Sequence, residues 1–347
     1  MPGTTLISLV SDQPMPNVLF IQQMPRANRY VFLTTERMEQ EGKADLIRQV
    51  CGIAPEQVDY LLTHHEDIEA IDGVWAELGA ELGTRFIVNL TGGTKVMALG
   101  TLRYFVEHHA RQSEIYYLPF SGSHLQQMYP GTAKVPLGVR VGVRDYLKVH
   151  GVQLLDEQPW AKQAQAARAI FNHVAGKKLD LDIQNALNEA RTDPNELQLK
   201  SLDAAQRRFY AGEWLEVWLA QAVAASLGVS PDDILQGARL NKSGREENQA
   251  NEYDVIFVHH NRLYLAECKY FTSASRKLKD ISKELFKLGG ANNLLGLNAR
   301  PFLAMIGSLT GHPEDLAEQC RILRLRPPAF LDTLSDAGQL RKYLQLL

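Results

Sequence analysis

The chain has 347 residues, 37 Lys+Arg against 40 Asp+Glu for a formal net charge of −3, and 45% hydrophobic and 22% charged residues. This balance excludes wholesale disorder and a polybasic protein that coats nucleic acid by charge alone, and the length suits two domains with room for a small third. Three scattered cysteines (Cys51, Cys268, Cys320) without a CxxC pair exclude a disulfide framework and a zinc ribbon. With no apolar run near the ~18 residues of a membrane span and no signal-like N-terminus, a cytoplasmic protein with no membrane partner is expected.

Residues 1–150 alternate apolar runs with helical spacing. Strands are predicted at Leu6–Val10, Tyr30–Leu33, Val58–Leu62, Arg85–Leu90 and Glu114–Pro119. Helical segments lie between them at Thr34–Val50, from Ile68 to Leu82 and from Thr94 to about Ala110. Such alternation means βαβ units and a mostly parallel sheet of a Rossmann-like α/β domain. Short pieces at Gln126–Tyr129 and Val139–Val143 predict hairpins that close this domain. Residues 151–205 read as a helical connector with helices at Ala161–Val174, Leu181–Ala190 and Asn195–Leu202, either winged-helix-like or a plain spacer. Residues 206–347 start a new pattern. A long helix, Arg207–Leu227, stops at Gly228. The strands Asp233–Leu240, Glu252–His259 and Leu263–Lys269 follow, then a Lys-rich helix (Ser275–Leu288) and the strand Pro301–Ile306. This order predicts an α/β/α domain.

Two places carry chemistry. Thr91-Gly92-Gly93-Thr94-Lys95 stands where the fourth strand passes into a helix, a position at which free N–H groups and the helix dipole favour an anion. It is neither a Walker A loop nor GxGxxG, and it reads as a phosphate or nucleotide site. Ser11-Asp12-Gln13, after the first strand, would form a second polar loop on the same sheet edge.

The second place lies in the 206–347 segment. Asp254 and, after a turn at His260-Asn261, Glu267 and Lys269 fall on neighbouring apolar strands. Glu267 and Lys269 share a face because side chains alternate along a strand. Two carboxylates supply hard oxygen donors for Mg²⁺ or Mn²⁺, and a lysine can orient or activate an attacking water. Glu216, on the preceding helix, can add a third carboxylate, with Glu213 the competing choice. Trp214, Leu215 and Trp218 read as core anchors, and Cys268 should face away from the acids.

Between Arg262 and Arg300, eight Lys+Arg stand against three acids, a local excess of +5. Arg276, Lys277, Lys279 and Lys283 are candidate contacts to a phosphodiester backbone. Pairs such as Arg276–Asp280 and Glu284–Lys287 would suit a solvated helix face instead. The pairs His64-His65, His108-His109 and His259-His260 lack metal-ligand spacing and read as surface.

Asp254, Glu267 and Lys269 resemble the PD-(D/E)xK nuclease pattern, with Glu216 similar to the acidic residue of that superfamily's first helix. Tyr253 replaces the usual Pro. Together with the Thr91–Lys95 turn in a Rossmann-like first domain, the chain resembles the Can/Card group of CRISPR-associated nucleases: a CARF domain, a helical connector and a restriction-endonuclease-like domain. The resemblance implies a homodimer that binds one cyclic oligoadenylate, foremost cyclic tetra-adenylate, across its CARF domains through Ser11–Gln13 and Thr91–Lys95. It further implies metal-dependent cleavage of DNA or RNA in type III CRISPR defence, with Asp254, Glu267 and Glu216 as metal ligands. A ligand-responsive transcription regulator with an inactive nuclease fold is the competing reading.

Overall fold

In the computed structural model of the protein, residues 3–78, 84–119, 122–190, 202–242, 244, 246–271, 276–277, 281–296, 299–307, 309–310 and 313–346 are described. The chain divides into two compact units, Met1–Val152 and Gln153–Leu347.

The first unit runs β1 (Thr4–Leu9), α1 (Met15–Gln23), β2 (Arg29–Thr34), α2 (Glu36–Gln40), α3 (Lys43–Val50), β3 (Val58–Leu62), α4 (Ile68–Leu78), β4 (Arg85–Asn89), α5 (Lys95–His108), β5 (Ser113–Tyr117), β6 (His124–Tyr129), β7 (Lys134–Pro136) and α6 (Val143–Val149). Its sheet has the order β3-β2-β1-β4-β5-β6-β7. The first five strands are parallel, and β6 and β7 close the edge antiparallel. β1 and β2 are buried along almost their whole length because helices cover both faces of the sheet. Ile7, Leu9, Val31, Val88 and Ile115 pack with Ile71 and Trp75 of α4 and Phe105 of α5 on one face. On the other, Phe20 of α1 meets Tyr116 of β5 with ring centroids 6.0 Å apart.

Two local readings change. Thr34–Val50 is two helices, because the chain turns at Gly42 (φ 64°) between them. Val139–Val143 is not a strand but a loop entering α6. The alternation Val139-Arg140-Val141-Gly142-Val143 mimics a strand. Helical spacing wins because Val143, Tyr146, Leu147 and Val149 are the residues that bury.

The second unit continues with β8 (Val152–Gln158), α7 (Ala164–Val174), α8 (Leu181–Glu189), α9 (Ala204–Arg208), α10 (Trp214–Leu227), β9 (Ile234–Lys242), β10 (Asn251–His259) and β11 (Arg262–Tyr270). It ends with β12 (Arg276–Lys277), α11 (Ser282–Leu295), β13 (Ala299–Ile306), β14 (Leu309–Thr310), α12 (Pro313–Ile322), α13 (Leu331–Ser335) and α14 (Ala337–Leu346). Its main sheet, β13-β11-β10-β9-β8, is an antiparallel β9–β10–β11 meander with β13 parallel to β11.

One face of this sheet (Val255, Phe257, Tyr264, Ala266, Phe302, Ala304) packs on α10 with α7 and α14 behind. The other face (Leu303, Met305) packs on Ile281, Leu285 and Leu288 of the α11 segment and Cys320 of α12. The result is an α/β/α layer arrangement. Residues that the sequence assigns to a connector over 151–205 join this unit: β8 is its edge strand, and Ile170, Phe171 and Leu187 enter the α10 core. Phe171 stacks on Trp218 at 3.7 Å between ring centroids. Most of the predicted helix Asn195–Leu202 lies outside the described residues.

The expected single helix Arg207–Leu227 is interrupted. A wide turn at Phe209–Glu213, with Gly212 at φ 176° and ψ −29°, separates α9 from α10. The Lys-rich helix begins at Ser282, not Ser275, since Arg276–Lys277 forms a short strand paired with Leu309–Thr310. No helix among the described residues is long and apolar enough to cross a membrane.

Candidate functional sites

In the first unit the crossover direction reverses between β1 and β4, which opens a crevice at the carboxyl ends of the strands. Three buried polar side chains brace this point from below. Asn17 Nδ2 donates to Ser8 Oγ (2.8 Å) and to the Leu9 carbonyl (2.7 Å), while Asn89 Nδ2 donates to Ser8 Oγ (2.9 Å). Asn89 Oδ1 accepts from the Thr91 N–H at 3.0 Å, so strand positions pin the loop that follows β4.

A cavity of about 660 Å³ lies above, lined by the loops after β1, β2, β3 and β4. Ser11, Asp12, Gly93 and Thr94 line it; Gln13, Thr91, Gly92 and Lys95 do not. Each of those four has another place. The Gln13 N–H donates to Ser11 Oγ (3.3 Å), and Thr91 Oγ1 accepts from the Leu118 N–H (2.7 Å). Lys95 is exposed on the first turn of α5. Gly92 faces β1 so closely that a Cβ there would sit 1.7 Å from the Leu9 carbonyl oxygen. Thr94 caps α5 by accepting from the Met97 N–H at 3.2 Å, and its hydroxyl donates to the His65 carbonyl at 2.5 Å.

The sequence reading missed the loops after β2 and β3. Arg37 lines the cavity and pairs with Asp12 at 3.0 Å. His64 and His65, read as incidental, also line it, their rings stacked at 5.0 Å. Their position just past β3 was the available signal, by the same carboxyl-end rule that singled out Thr91–Lys95.

In the second unit, His260 (φ 49°) and Asn261 (φ 59°) make the tight two-residue turn that joins β10 to β11. The ladder ends at the pair Val255↔Ala266, and Asp254 and Glu267 are the next residues on the two strands, near enough for the Asp254 charge to act on Glu267. The two carboxylates therefore share a face, and Lys269 shares it by strand alternation. Asp254 Oδ2 accepts from the Cys268 N–H at 2.6 Å. Glu267 is only 3% exposed, and Lys287 Nζ donates to its Oε1. Lys269 Nζ lies 3.3 Å from Glu284 Oε1. Glu216 on α10 receives a hydrogen bond from Gln236 Nε2 at 3.0 Å.

Crowding of acids dominates the electrostatics. Burial, and then the Asp254 charge, push Glu216 up to about 9 despite the Gln236 bond. The same two causes push Glu267 up to about 7 against the pull of Lys287 and Lys269. Burial also raises Asp254, opposed by the Cys268 N–H and both lysines. Burial alone would lower Lys269, but Asp254, Glu284 and Glu267 outweigh it, and its ammonium is held above the ordinary lysine value. An added cation would favour the ionised forms of these acids, and its binding would strengthen as pH rises.

No group of three His, Cys, Asp or Glu side chains among the described residues stands ready to hold a metal ion. Asp254 and Glu267 nevertheless form a two-carboxylate platform of hard oxygens, which fits a Mg²⁺-type ion that keeps most of its waters.

Helix α11 corrects one expectation. Glu284 and Lys287 do not pair with each other on a solvated face; both reach β11, Glu284 to Lys269 and Lys287 to Glu267. Of the four expected nucleic-acid contacts, Lys283 is exposed on α11, while Arg276 and Lys277 lie in β12 rather than on that helix. Lys279 lies outside the described residues.

A mainly parallel sheet with a cavity of mixed polar and apolar lining at the carboxyl ends of its strands, followed by an α/β/α fold with an Asp and a Glu-x-Lys on paired strands, defines a ligand-binding domain joined to a restriction-endonuclease-like domain. Two family models match: the Card1 CARF domain over residues 5–146 and the Card1-like endonuclease domain over residues 203–344. The chain belongs to the Can/Card group of CRISPR-associated CARF-domain nucleases.

Among solved structures, it is similar to protein VC1899 from Vibrio cholerae, with a TM-score of 0.77, 20% identity, and 99% of this chain and 98% of that one covered. It is similar also to Can2 from Sulfobacillus thermosulfidooxidans in complex with cyclic tetra-adenylate, with a TM-score of 0.73, 19% identity, and coverage of 98% and 99%. A type III CRISPR defence DNA nuclease activated by cyclic oligoadenylate matches at a TM-score of 0.58 and 18% identity, over 90% of this chain and 47% of that one. No curated protein matches the chain.

Proposed function

We propose that this protein is a metal-dependent nuclease of type III CRISPR defence, switched on by a cyclic oligoadenylate, with cyclic tetra-adenylate the foremost candidate, and cleaving DNA or RNA as a homodimer. The observation that carries the reading is the juxtaposition of Asp254, Glu267 and Lys269 just past the end of the β10–β11 ladder. A cavity of about 660 Å³ falls in the size range of small-ligand sites and supports the sensor half. A ring of repeated nucleotides suits a two-fold axis, where each protomer offers the same patch.

In this proposal Asp254 and Glu267 hold the metal, with Glu216 beneath them. The bound ion would supply Lewis-acid charge at the scissile phosphate. Lys269, its ammonium fixed by Glu284, acts as a charged donor to the phosphate oxygens or the attacking water. The raised pKa of Lys269 speaks against a general-base role at neutral pH. Control by the activator requires that the ring bind the active arrangement better than the resting one.

Supercoiled plasmid and single-stranded RNA, each with Mn²⁺ or Mg²⁺ and with or without cyclic tetra- and hexa-adenylate, test the reading. Cleavage is expected only where activator and metal are both present. Activator binding without any cleavage would favour the transcription regulator.

A further inference from the structure

The acidic site contains two lysines in unlike positions. Lys269 is anchored by Glu284, a carboxylate of α11. Lys287 is paired with Glu267 itself, and its ammonium lies 4.9 Å from the centre of the Tyr253 ring. Its neighbours Leu285 and Leu288 are buried in the core beneath α11, which fixes the helix face that Lys287 presents to the strands.

Exposure separates the two partners of the ion pair. The Glu267 side chain is 3% exposed and cannot leave, whereas that of Lys287 is 28% exposed and has a path to solvent. A buried, ionised carboxylate without a counter-charge is costly, so above pH 7, where Glu267 is ionised, a cation accompanies it. An ammonium on Oε1 satisfies that need and occupies an oxygen that a metal would use.

We infer that Lys287 is a built-in counter-cation that competes with the metal for Glu267 and swings out to solvent when the site is loaded. The inference rests on the metal-dependent reading above. It makes Lys287 a positioning residue that keeps the carboxylate oriented before loading and sets the metal concentration at which loading occurs. A divalent ion replaces the counter-charge on Glu267 as the ammonium regains water, so the exchange leaves no buried charge unpaired.

Titration calorimetry of MnCl2 into the 347-residue chain at pH 8, where Glu267 is ionised, tests this without any cleavage readout. Lys287→Met keeps the packing over Tyr253 and removes the charge, and is expected to tighten Mn²⁺ binding roughly five- to tenfold. Lys287→Gln serves if the Met variant does not fold, and should shift the affinity in the same direction. Lys134→Met, an exposed change in the first unit, should bind as the wild type does. Equal or weaker binding by both Lys287 variants, with binding still lost in Glu267→Gln, would overturn the inference and leave the metal site standing. Binding by Glu267→Gln equal to wild type, or no saturable binding in any form, would overturn the metal reading and the inference with it.

Discussion

Glu267→Gln is expected to lower metal-dependent cleavage at least about a thousandfold while leaving the fold intact. The substitution keeps volume and hydrogen-bonding capacity but removes one of the two charges set against each other on the β10–β11 ladder. A metal supplies several kcal/mol of transition-state charge stabilisation, and each ~1.4 kcal/mol lost is tenfold in rate. The fold should not suffer. Burial raises the Glu267 carboxyl to about 7, above its unfolded value of 4.5, so its contribution to stability is present at low pH and is lost as pH rises through 7. At pH 8 the wild type therefore carries an unfavourable buried charge that the variant lacks. The melting temperature of metal-free Glu267→Gln at pH 8 should equal or exceed that of the wild type. Retained cleavage, or a lower melting temperature with cleavage intact, would contradict the assignment.

The second large effect lies in the first unit. Gly92→Ala is expected to destabilise it by about 3 kcal/mol or more. The new Cβ would fall 1.7 Å from the Leu9 carbonyl oxygen and 2.7 Å from the Leu9 carbonyl carbon. These are backbone atoms of a central strand and cannot rotate aside. For a unit of this size a loss of 3 kcal/mol lowers the melting temperature by about 6–12 °C. Gly52→Ala is the natural comparison: its φ of 62° strains an alanine, but nothing lies within 4 Å. That strain costs about 1–2 kcal/mol. Calorimetric melting of the two variants should rank Gly92→Ala well below Gly52→Ala. A Gly92→Ala protein that melts with the wild type would mean the loop can lift off β1.

The sequence signals that proved legible were those in which a local period fixes a spatial result. The two-residue turn at His260-Asn261 sets the β10–β11 register, and register with side-chain alternation brings Asp254, Glu267 and Lys269 to one face. The parallel strands of the first unit were visible as apolar runs because both faces of that sheet are covered. What escaped depends on tertiary placement. Glu284 and Lys287 sit three residues apart, which in isolation reads as a helix-surface pair. Only the docking of α11 over β11 turns both toward the acidic site. Gly92 belongs to the turn that reads as a phosphate or nucleotide site, whereas its close neighbour is the end of β1. His64 and His65 lack metal-ligand spacing, yet their place past a parallel strand puts them at the cavity. The interruption at Phe209–Glu213 and the late start of α11 were hidden because helical periodicity does not mark where a helix breaks.

The most direct test of the coupling between sensor and nuclease is the rate of plasmid or RNA cleavage at fixed Mn²⁺ as cyclic tetra-adenylate is titrated from zero. A saturable rise from a near-zero baseline is predicted, and the rise should vanish in Glu267→Gln. A substantial rate that stays the same at every activator concentration would contradict it.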